Sequence, residues 1–216
     1  MPRTNKNFDS RKEQLIRLAL EQFIDKGYEN TTITDLQKSF GLTKGGMYHY
    51  FDSKEEILDD VIDYGLTQCV NELITELKSI PPEKKLVYFF FSSTANDFAQ
   101  SLFRYSKKNS PSIVSYRLRE KTVALTAPVL KDIILQYIET GFYKTKYPDE
   151  MAEFSLILAQ AISEEDMLPK ANLIHRKRRV DAIVDVWRKC MNPPAGHIHE
   201  LQENLYKLIG FTIEGN

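Results

Sequence analysis

Residues 43–49 bring together four side chains that could recognise an anion or the edge of a base. Thr43, Lys44, Tyr48 and His49 carry a hydroxyl, an ammonium, a phenol and an imidazole. A lysine can reach guanine acceptors or a phosphate, and hydroxyl groups can donate to phosphate oxygens. No nucleophile or orienting carboxylate is paired with the histidine by motif, so the set predicts contact with duplex DNA rather than catalysis.

Two glycines, Gly45 and Gly46, lie within this set, in the first turn of a short helix predicted over residues 44–50. Glycine within a helix costs about 1 kcal/mol relative to alanine, so a helix used only for packing would not contain two. The pair is expected where the backbone approaches a phosphate or a base closely. Met47 and Phe51 are predicted to face inward, which leaves the polar side chains outward.

Three helices with capping signals are predicted to position these groups. The first helix opens at a capping box that starts with Ser10, and the helix ends at Gly27. The second opens at Thr32 and ends at Gly41, and Thr43 caps the third. Helix, glycine turn and short helix form a helix-turn-helix, whose second helix lies in the major groove. The residues predicted to contact DNA are Thr32, Thr34, Gln37, Thr43, Lys44, Gly45, Gly46, Tyr48, His49 and Lys54.

The neighbouring basic residues leave two interpretations open. Lys54 lies in the first turn of the next helix, where free backbone donors and the helix dipole favour a phosphate. Arg3, Lys6, Arg11 and Lys12 fit either a solvated tail or an arm that reaches phosphate or the minor groove.

Composition limits the class of protein. The 216 residues carry a formal net charge of −1, so any DNA contact must come from local clustering of charge. The longest apolar run, residues 86–91, is far shorter than the roughly 20 residues of a membrane helix, and the N-terminus lacks the apolar stretch of a secretory signal. We therefore expect a cytoplasmic protein that does not contact membranes. Cys69 and Cys190 give no disulfide framework, and no metal or cofactor motif is present.

The rest of the chain is predicted to be helical, because no stretch shows sustained period-two alternation. A long connector helix starts at a Ser53-x-x-Glu56 capping box, with Lys54 as its first residue, and ends before Pro81. An aromatic run that steps by four indicates one helix over residues 86–102. Further helices are predicted from Pro111, with a break or kink at Pro128, from Pro148, over residues 171–191 and over residues 198–209. The predicted fold is all-α with about nine or ten helices: a three-helix head at residues 1–53 and a ligand-binding and dimerisation body at residues 54–216.

Two sets of body residues are candidates for binding. The body aromatics fit either core packing or a cavity for an apolar or aromatic effector. The candidate pocket residues are Phe90, Phe98, Phe103, Tyr105, Tyr116 and Tyr137. On the helix predicted over residues 171–191, apolar residues have a 4-3-4 spacing, which fits either a four-helix dimer interface or an internal seam. The candidate interface residues are Phe154, Leu158, Ala161, Val180, Val184 and Trp187. His197 and His199 form an isolated His-x-His sequence, and both side chains are expected at the surface.

The run from Leu42 to Leu58 resembles the signature of the tetracycline-repressor (TetR) family, and the resemblance extends over roughly residues 10–60. A weaker resemblance continues around Gly141 and Pro148. It implies a homodimer with two DNA-binding heads and a ligand cavity within the body helices. Gln37 and Phe40 depart from the family pattern, which usually has small alanines there, and this puts the operator sequence in doubt rather than the fold.

The function that these observations predict is a transcriptional regulator that binds a palindromic operator as a homodimer. A small-molecule effector would shift the connector helix and so change the separation of the two heads. We expect repression, although the sequence does not exclude activation. The main alternative is a small-molecule-binding protein whose head docks a protein partner instead of DNA. An enzyme is disfavoured, because no catalytic constellation occurs at recognisable spacing.

Overall fold

The computed structural model describes residues 6–163 and 167–211, and within these ranges every regular element is helical. The predicted all-α class is confirmed. The elements are α1 (Lys6–Lys26), α2 (Ile33–Phe40), α3 (Lys44–Tyr48), α4 (Lys54–Leu77), a 3-10 turn (Pro82–Lys84), α5 (Lys85–Phe91), α6 (Asp97–Lys108), α7 (Ile113–Glu139), α8 (Pro148–Ser163), α9 (Leu173–Met191) and α10 (Ala195–Leu208). No helix among the described residues is both long and apolar enough to cross a bilayer.

The chain packs as two compact units. The first, called the head unit, comprises the residues up to Cys69 together with Ala95–Lys121; the second, the body unit, comprises Val70–Thr94 and the residues from Thr122 onward. Helices α4 and α7 each continue from one unit into the other. The head unit thus includes α6 and the start of α7 in addition to the three predicted helices. The functional boundary between residues 53 and 54 stays a prediction.

The helix ends of the head follow from local hydrogen bonds. Thr32 caps α2: its hydroxyl oxygen accepts from the Asp35 N–H at 3.1 Å, and the Asp35 carboxylate accepts from the Thr32 N–H at 3.0 Å. Gly41 ends α2 with φ +63°, a left-handed conformation that glycine adopts without steric cost. The predicted capping box at Ser10 is wrong. Ser10 lies inside α1 (Lys6–Lys26), and residues 6–10 contain neither Gly nor Pro to interrupt the helix.

The aromatic run does not form one helix. Helix α5 ends at Phe91, and α6 begins only at Asp97, where the Asn96 side chain accepts from the Ala99 N–H at 3.0 Å. Ser, Thr and Asn side chains compete with the helical backbone for hydrogen bonds, which explains why the polar residues 92–96 interrupt the pattern. Helix α7 runs past the exposed Pro128 without a break, and the alternative of a kink there stays a prediction.

The core of the body unit is built from α5, the later part of α7, and α8 to α10. Trp187 of α9 is 1% exposed, and its indole stacks on Phe90 with ring centroids 5.8 Å apart. The Tyr137 hydroxyl donates to the Pro82 carbonyl at 2.6 Å and accepts from the Leu86 N–H at 3.2 Å. These contacts join three segments of the chain around α5.

His197 lies in this core and not at the surface as predicted. It is buried in the first turn of α10, with Nδ1 3.1 Å from the Tyr143 hydroxyl, whereas His199 is exposed and paired with Glu203. Burial lowers the pKa of His197; Lys84 adds to this effect and Glu200 opposes it. The imidazole is therefore neutral in the folded protein near pH 7. Among the described residues, no group of three or more His, Cys, Asp or Glu side chains could hold a metal ion.

Acid is expected to destabilise the body unit through His197. Between the lowered folded-state pKa and the unfolded value of about 6.5, the unfolded chain binds more protons, so the free energy of unfolding falls as the pH drops. Urea unfolding at pH 7 and pH 5.5 should show a lower midpoint at the acidic pH. His197→Gln should reduce this pH dependence and His199→Gln should not; an equal effect of the two would contradict the assignment.

Candidate nucleic-acid interface

Helix α3 is a short element held to the head by its apolar side. Met47 is fully buried, and Phe51 packs against Phe40 with ring centroids 6.1 Å apart. The Thr43 hydroxyl oxygen caps the helix by accepting from the Gly46 N–H at 3.2 Å. Lys44 is left exposed, in agreement with the predicted inward and outward faces of the helix.

The two glycines differ in what surrounds them. A Cβ added at Gly45 would meet no atom of the head within 4 Å, whereas a Cβ at Gly46 would lie 3.3 Å from the Thr43 hydroxyl oxygen. Neither glycine has a positive φ. The cap therefore explains the missing side chain at Gly46. Nothing inside the head explains it at Gly45.

Around Gly45, α3 exposes polar groups of the kind that bind nucleic acid. Tyr48 is 46% exposed, and His49 follows it on the surface. On α2, Thr34 is exposed, whereas Gln37 is half-buried. The Gln37 amide nitrogen is buried and has no hydrogen-bond partner among the described residues. An unpaired buried amide is costly, which makes Gln37 a group whose environment would improve if a partner approached α2.

The start of α2 is fixed by charged groups as well as by its cap. The Lys26 ammonium lies 2.7 Å from the Asp35 carboxylate, and the Thr32 hydroxyl donates to that carboxylate at 2.7 Å. Lys26 and then Thr32 lower the pKa of Asp35, so the carboxylate remains ionised at neutral pH. Thr32 is exposed, but its hydroxyl hydrogen is already donated within the head.

The Lys54 ammonium is bound within the head unit. Its Nζ donates to the carbonyls of Tyr28 at 3.0 Å and Thr31 at 3.1 Å, and it lies 4.3 Å from the centre of the Tyr28 ring. The side chain therefore fixes α4 to the segment before α2. The predicted phosphate contact at Lys54 rests on the backbone donors of the first turn of α4, and it stays a prediction.

Two of the N-terminal basic residues also bind within the head. Arg11 donates to the Phe40 carbonyl at 3.1 Å, and the Lys12 ammonium lies 2.7 Å from the Asp60 carboxylate. Neither is part of a solvated tail. Arg3 and the side chain of Lys6 lie outside the part of the chain that the structure describes.

Comparison with known proteins agrees with this geometry. The sequence model of the family described as bacterial regulatory proteins, tetR family, matches residues 15–61, which include α2, α3 and the start of α4. The chain is 40% identical over 53 residues to the HTH-type transcriptional repressor KstR2 of Mycolicibacterium smegmatis, a match that covers 24% of this chain and 26% of that repressor. Residues 15–61 are therefore similar to the N-terminal region of TetR-family regulators.

Longer but weaker similarities extend beyond residues 15–61. The negative regulator IcaR of Staphylococcus aureus is 22% identical over 157 residues, covering 63% of this chain and 84% of IcaR. The solved structure of FadR from Bacillus subtilis, in complex with stearoyl-CoA, has a TM-score of 0.52 at 16% identity. That alignment covers 91% of this chain and 96% of FadR, and it shows a shared fold.

The six aromatic residues predicted to line an effector pocket are divided between the two units of the chain. Phe90 and Tyr137 belong to the body unit, and the other four belong to the head unit. Tyr116 is exposed, and the Tyr105 hydroxyl accepts from a backbone N–H of the head. Phe98 packs against Gly65 of α4, and Phe103 is half-buried on α6. Their grouping into one pocket stays a prediction.

The predicted interface residues of α9 lie inside the protomer. Val180, Val184 and Trp187 are buried in the core of the body unit. The 4-3-4 spacing thus marks an internal seam, and these three residues are not available to a partner subunit. The predicted α8 residues are more accessible: Phe154 is 54% exposed, while Leu158 and Ala161 are half-buried.

The opposite side of α9 contributes exposed apolar groups that the sequence analysis missed. Ile157 of α8 and Val186 of α9, exposed by 44% and 43%, line an apolar groove of about 1160 Å³ together with Phe154. We call Phe154, Ile157 and Val186 the α8–α9 surface.

Proposed function

We propose that this chain is a ligand-responsive transcriptional regulator that binds a palindromic operator as a homodimer, and that it acts as a repressor. The environment of Gly45 carries the proposal. Its missing side chain leaves open backbone between the exposed groups Lys44 and Tyr48, on a helix held from behind by Met47. A duplex that approaches the α3 backbone supplies the reason for glycine there, which the head itself does not supply.

The α8–α9 surface supports a homodimer. Three large apolar side chains line one groove on adjacent helices, and a twofold partner would cover them with the same three residues of its own. Two heads related by a twofold axis can engage half-sites about 34 Å apart in successive major grooves. A palindromic operator follows from this symmetry.

The body unit is the proposed site of effector binding. Its core is rich in aromatic groups, including the Phe90–Trp187 stack, which favours an apolar or aromatic effector. FadR, a structural neighbour with the same fold, binds stearoyl-CoA. Because α4 continues from the body unit into the head unit, an effector that shifts α4 would change the separation of the two heads.

A DNA-binding regulator also belongs in the compartment that holds the chromosome, the cytoplasm of a bacterium.

The proposal is tested by selecting duplexes from a random-sequence pool and measuring the affinity of the selected duplex across a salt series. Specific binding that weakens with added salt is expected. The proposal would be overturned if no duplex were enriched, either in the absence or in the presence of small molecules that bind the body unit. That result would favour the alternative of a head that docks a protein partner. Turnover of a substrate would contradict the further expectation that the chain is not an enzyme.

Lys44→Ala is expected to weaken binding to the selected duplex by about tenfold, because an exposed cation next to the α3 backbone is removed. If the lysine contacts phosphate, the salt slope should also fall by about one. Lys207→Ala, which removes an exposed lysine of α10, is the matched control and should leave both quantities unchanged. Equal affinities for the two variants would exclude Lys44 from the interface.

A further inference from the structure

The backbone of Tyr28, in the segment between α1 and α2, is held by side chains from two other helices. Its N–H donates to the hydroxyl of Tyr105 on α6 at 2.6 Å. Its carbonyl accepts from the Lys54 ammonium of α4 at 3.0 Å, in addition to the local Thr31 N–H at 3.2 Å. Tyr28 and Tyr105 are 5% and 8% exposed, so water does not readily replace these partners.

The same contacts fix where α2 begins. Lys54 also binds the Thr31 carbonyl at 3.1 Å, and Thr32 is the N-cap of α2. Any shift of Tyr28 is therefore passed over four residues to the first helix of the helix-turn-helix. Gly41 and Thr43 then connect α2 to α3 through a short turn.

The position of helix α6 relative to α4 is fixed, because the two helices pack closely. A Cβ added at Gly65 of α4 would lie 3.0 Å from Leu102 and 3.3 Å from Phe98, so glycine is what permits this approach. The Phe98 ring also meets the Tyr64 ring edge-on, at 5.0 Å between centroids. The Tyr105 hydroxyl is thus carried by a helix whose distance from α4 is fixed.

We propose that Tyr105 is a positioning residue for DNA recognition: its hydroxyl holds the Tyr28 amide and so sets the placement of α2 and α3 against α4. This rests on the proposed function. Tyr105 touches no DNA in this scheme, and α6, which the sequence places in the body, becomes part of the DNA-reading unit. Loss of the hydroxyl leaves a buried N–H unpaired, which the head can relieve by moving the segment before α2.

Tyr105→Phe tests the proposal, because it keeps the ring and removes only the hydroxyl. Affinity for the duplex selected by the wild-type protein should fall by about tenfold, while affinity for a scrambled duplex of equal length should change by less than about twofold. Hydrogen exchange at the Tyr28 amide should become faster. A purely structural role would lower stability without changing the ratio of the two affinities.

The matched control is Tyr143→Phe, which removes a buried hydroxyl from the body unit, where it contacts His197. It should leave the affinity ratio unchanged. Gly65→Ala displaces α6 without removing the hydroxyl and is expected to lower the ratio; it serves if Tyr105→Phe folds poorly. An unchanged ratio in a folded Tyr105→Phe protein would overturn the proposal. A wild-type protein without preference for any duplex would instead overturn the proposed function.

Discussion

Replacing Gly45 by alanine is expected to reduce operator affinity by more than about 100-fold and to leave the folded protein at least as stable as before. The added methyl group meets no atom of the head within 4 Å, and alanine is the better helix former by up to about 1 kcal/mol. The loss therefore comes only from the duplex, which can no longer approach the α3 backbone. Mobility shifts on the selected duplex and urea unfolding of the free protein measure the two quantities.

Two other glycines make this experiment specific. Gly196, in the first turn of α10, also has open space at its Cβ position, so Gly196→Ala should leave DNA binding unchanged. Gly46→Ala introduces a contact 3.3 Å from the Thr43 hydroxyl oxygen and is expected to lower stability as well as affinity. If Gly45→Ala binds the operator like the wild-type protein, close approach of DNA to this backbone is wrong.

Val186→Glu is expected to separate the homodimer, raising its dissociation constant by more than about 100-fold. The substitution places a carboxylate among the apolar side chains of the α8–α9 surface in both subunits, where burial at the interface would remove water from each charge. A single head binds only one half-site, so affinity for the full operator should fall as well. Sedimentation of the free protein and titration of the operator measure the two effects.

The dimer experiment has a control of each kind. Leu208→Glu adds the same charge at a residue of α10 that is 49% exposed and does not line the groove, so it should leave the dimer intact. Val184→Ala shortens a side chain of the internal seam and is expected to lower the free energy of unfolding by about 1–3 kcal/mol without dissociating the subunits. If Val184→Ala dissociated the dimer and Val186→Glu did not, the dimer interface would lie at the seam of α9 and not at the α8–α9 surface.

Local features of the head could be predicted from sequence because they depend on neighbouring residues. The cap at Thr32, the left-handed Gly41 and the inward side of α3 each follow from residue types within one or two turns. The same reasoning failed at Ser10, where the capping-box sequence lies inside α1. A favourable N-cap sequence does not start a helix where the helix already includes the preceding residues.

Contacts between distant residues could not be predicted in this way. The seam of α9 was recognised from the spacing of Val180 and Val184, but spacing does not say whether the other half of a seam belongs to the same chain. Tyr105 lies 77 residues from Tyr28, and no periodicity links a phenol to one backbone amide. The two backbone carbonyls that bind the Lys54 ammonium likewise belong to a loop, and no side-chain pattern marks them.

The burial of Trp187 provides a natural reporter for the body unit. The chain has a single tryptophan, and its indole N–H has no hydrogen-bond partner among the described residues, so its fluorescence should be emitted at short wavelength. Light absorbed by this indole reports on the surroundings of Phe90 and α9 and not on α3. An effector that enters the aromatic core should therefore change the intrinsic fluorescence of Trp187, and the change can be measured without a label and without DNA.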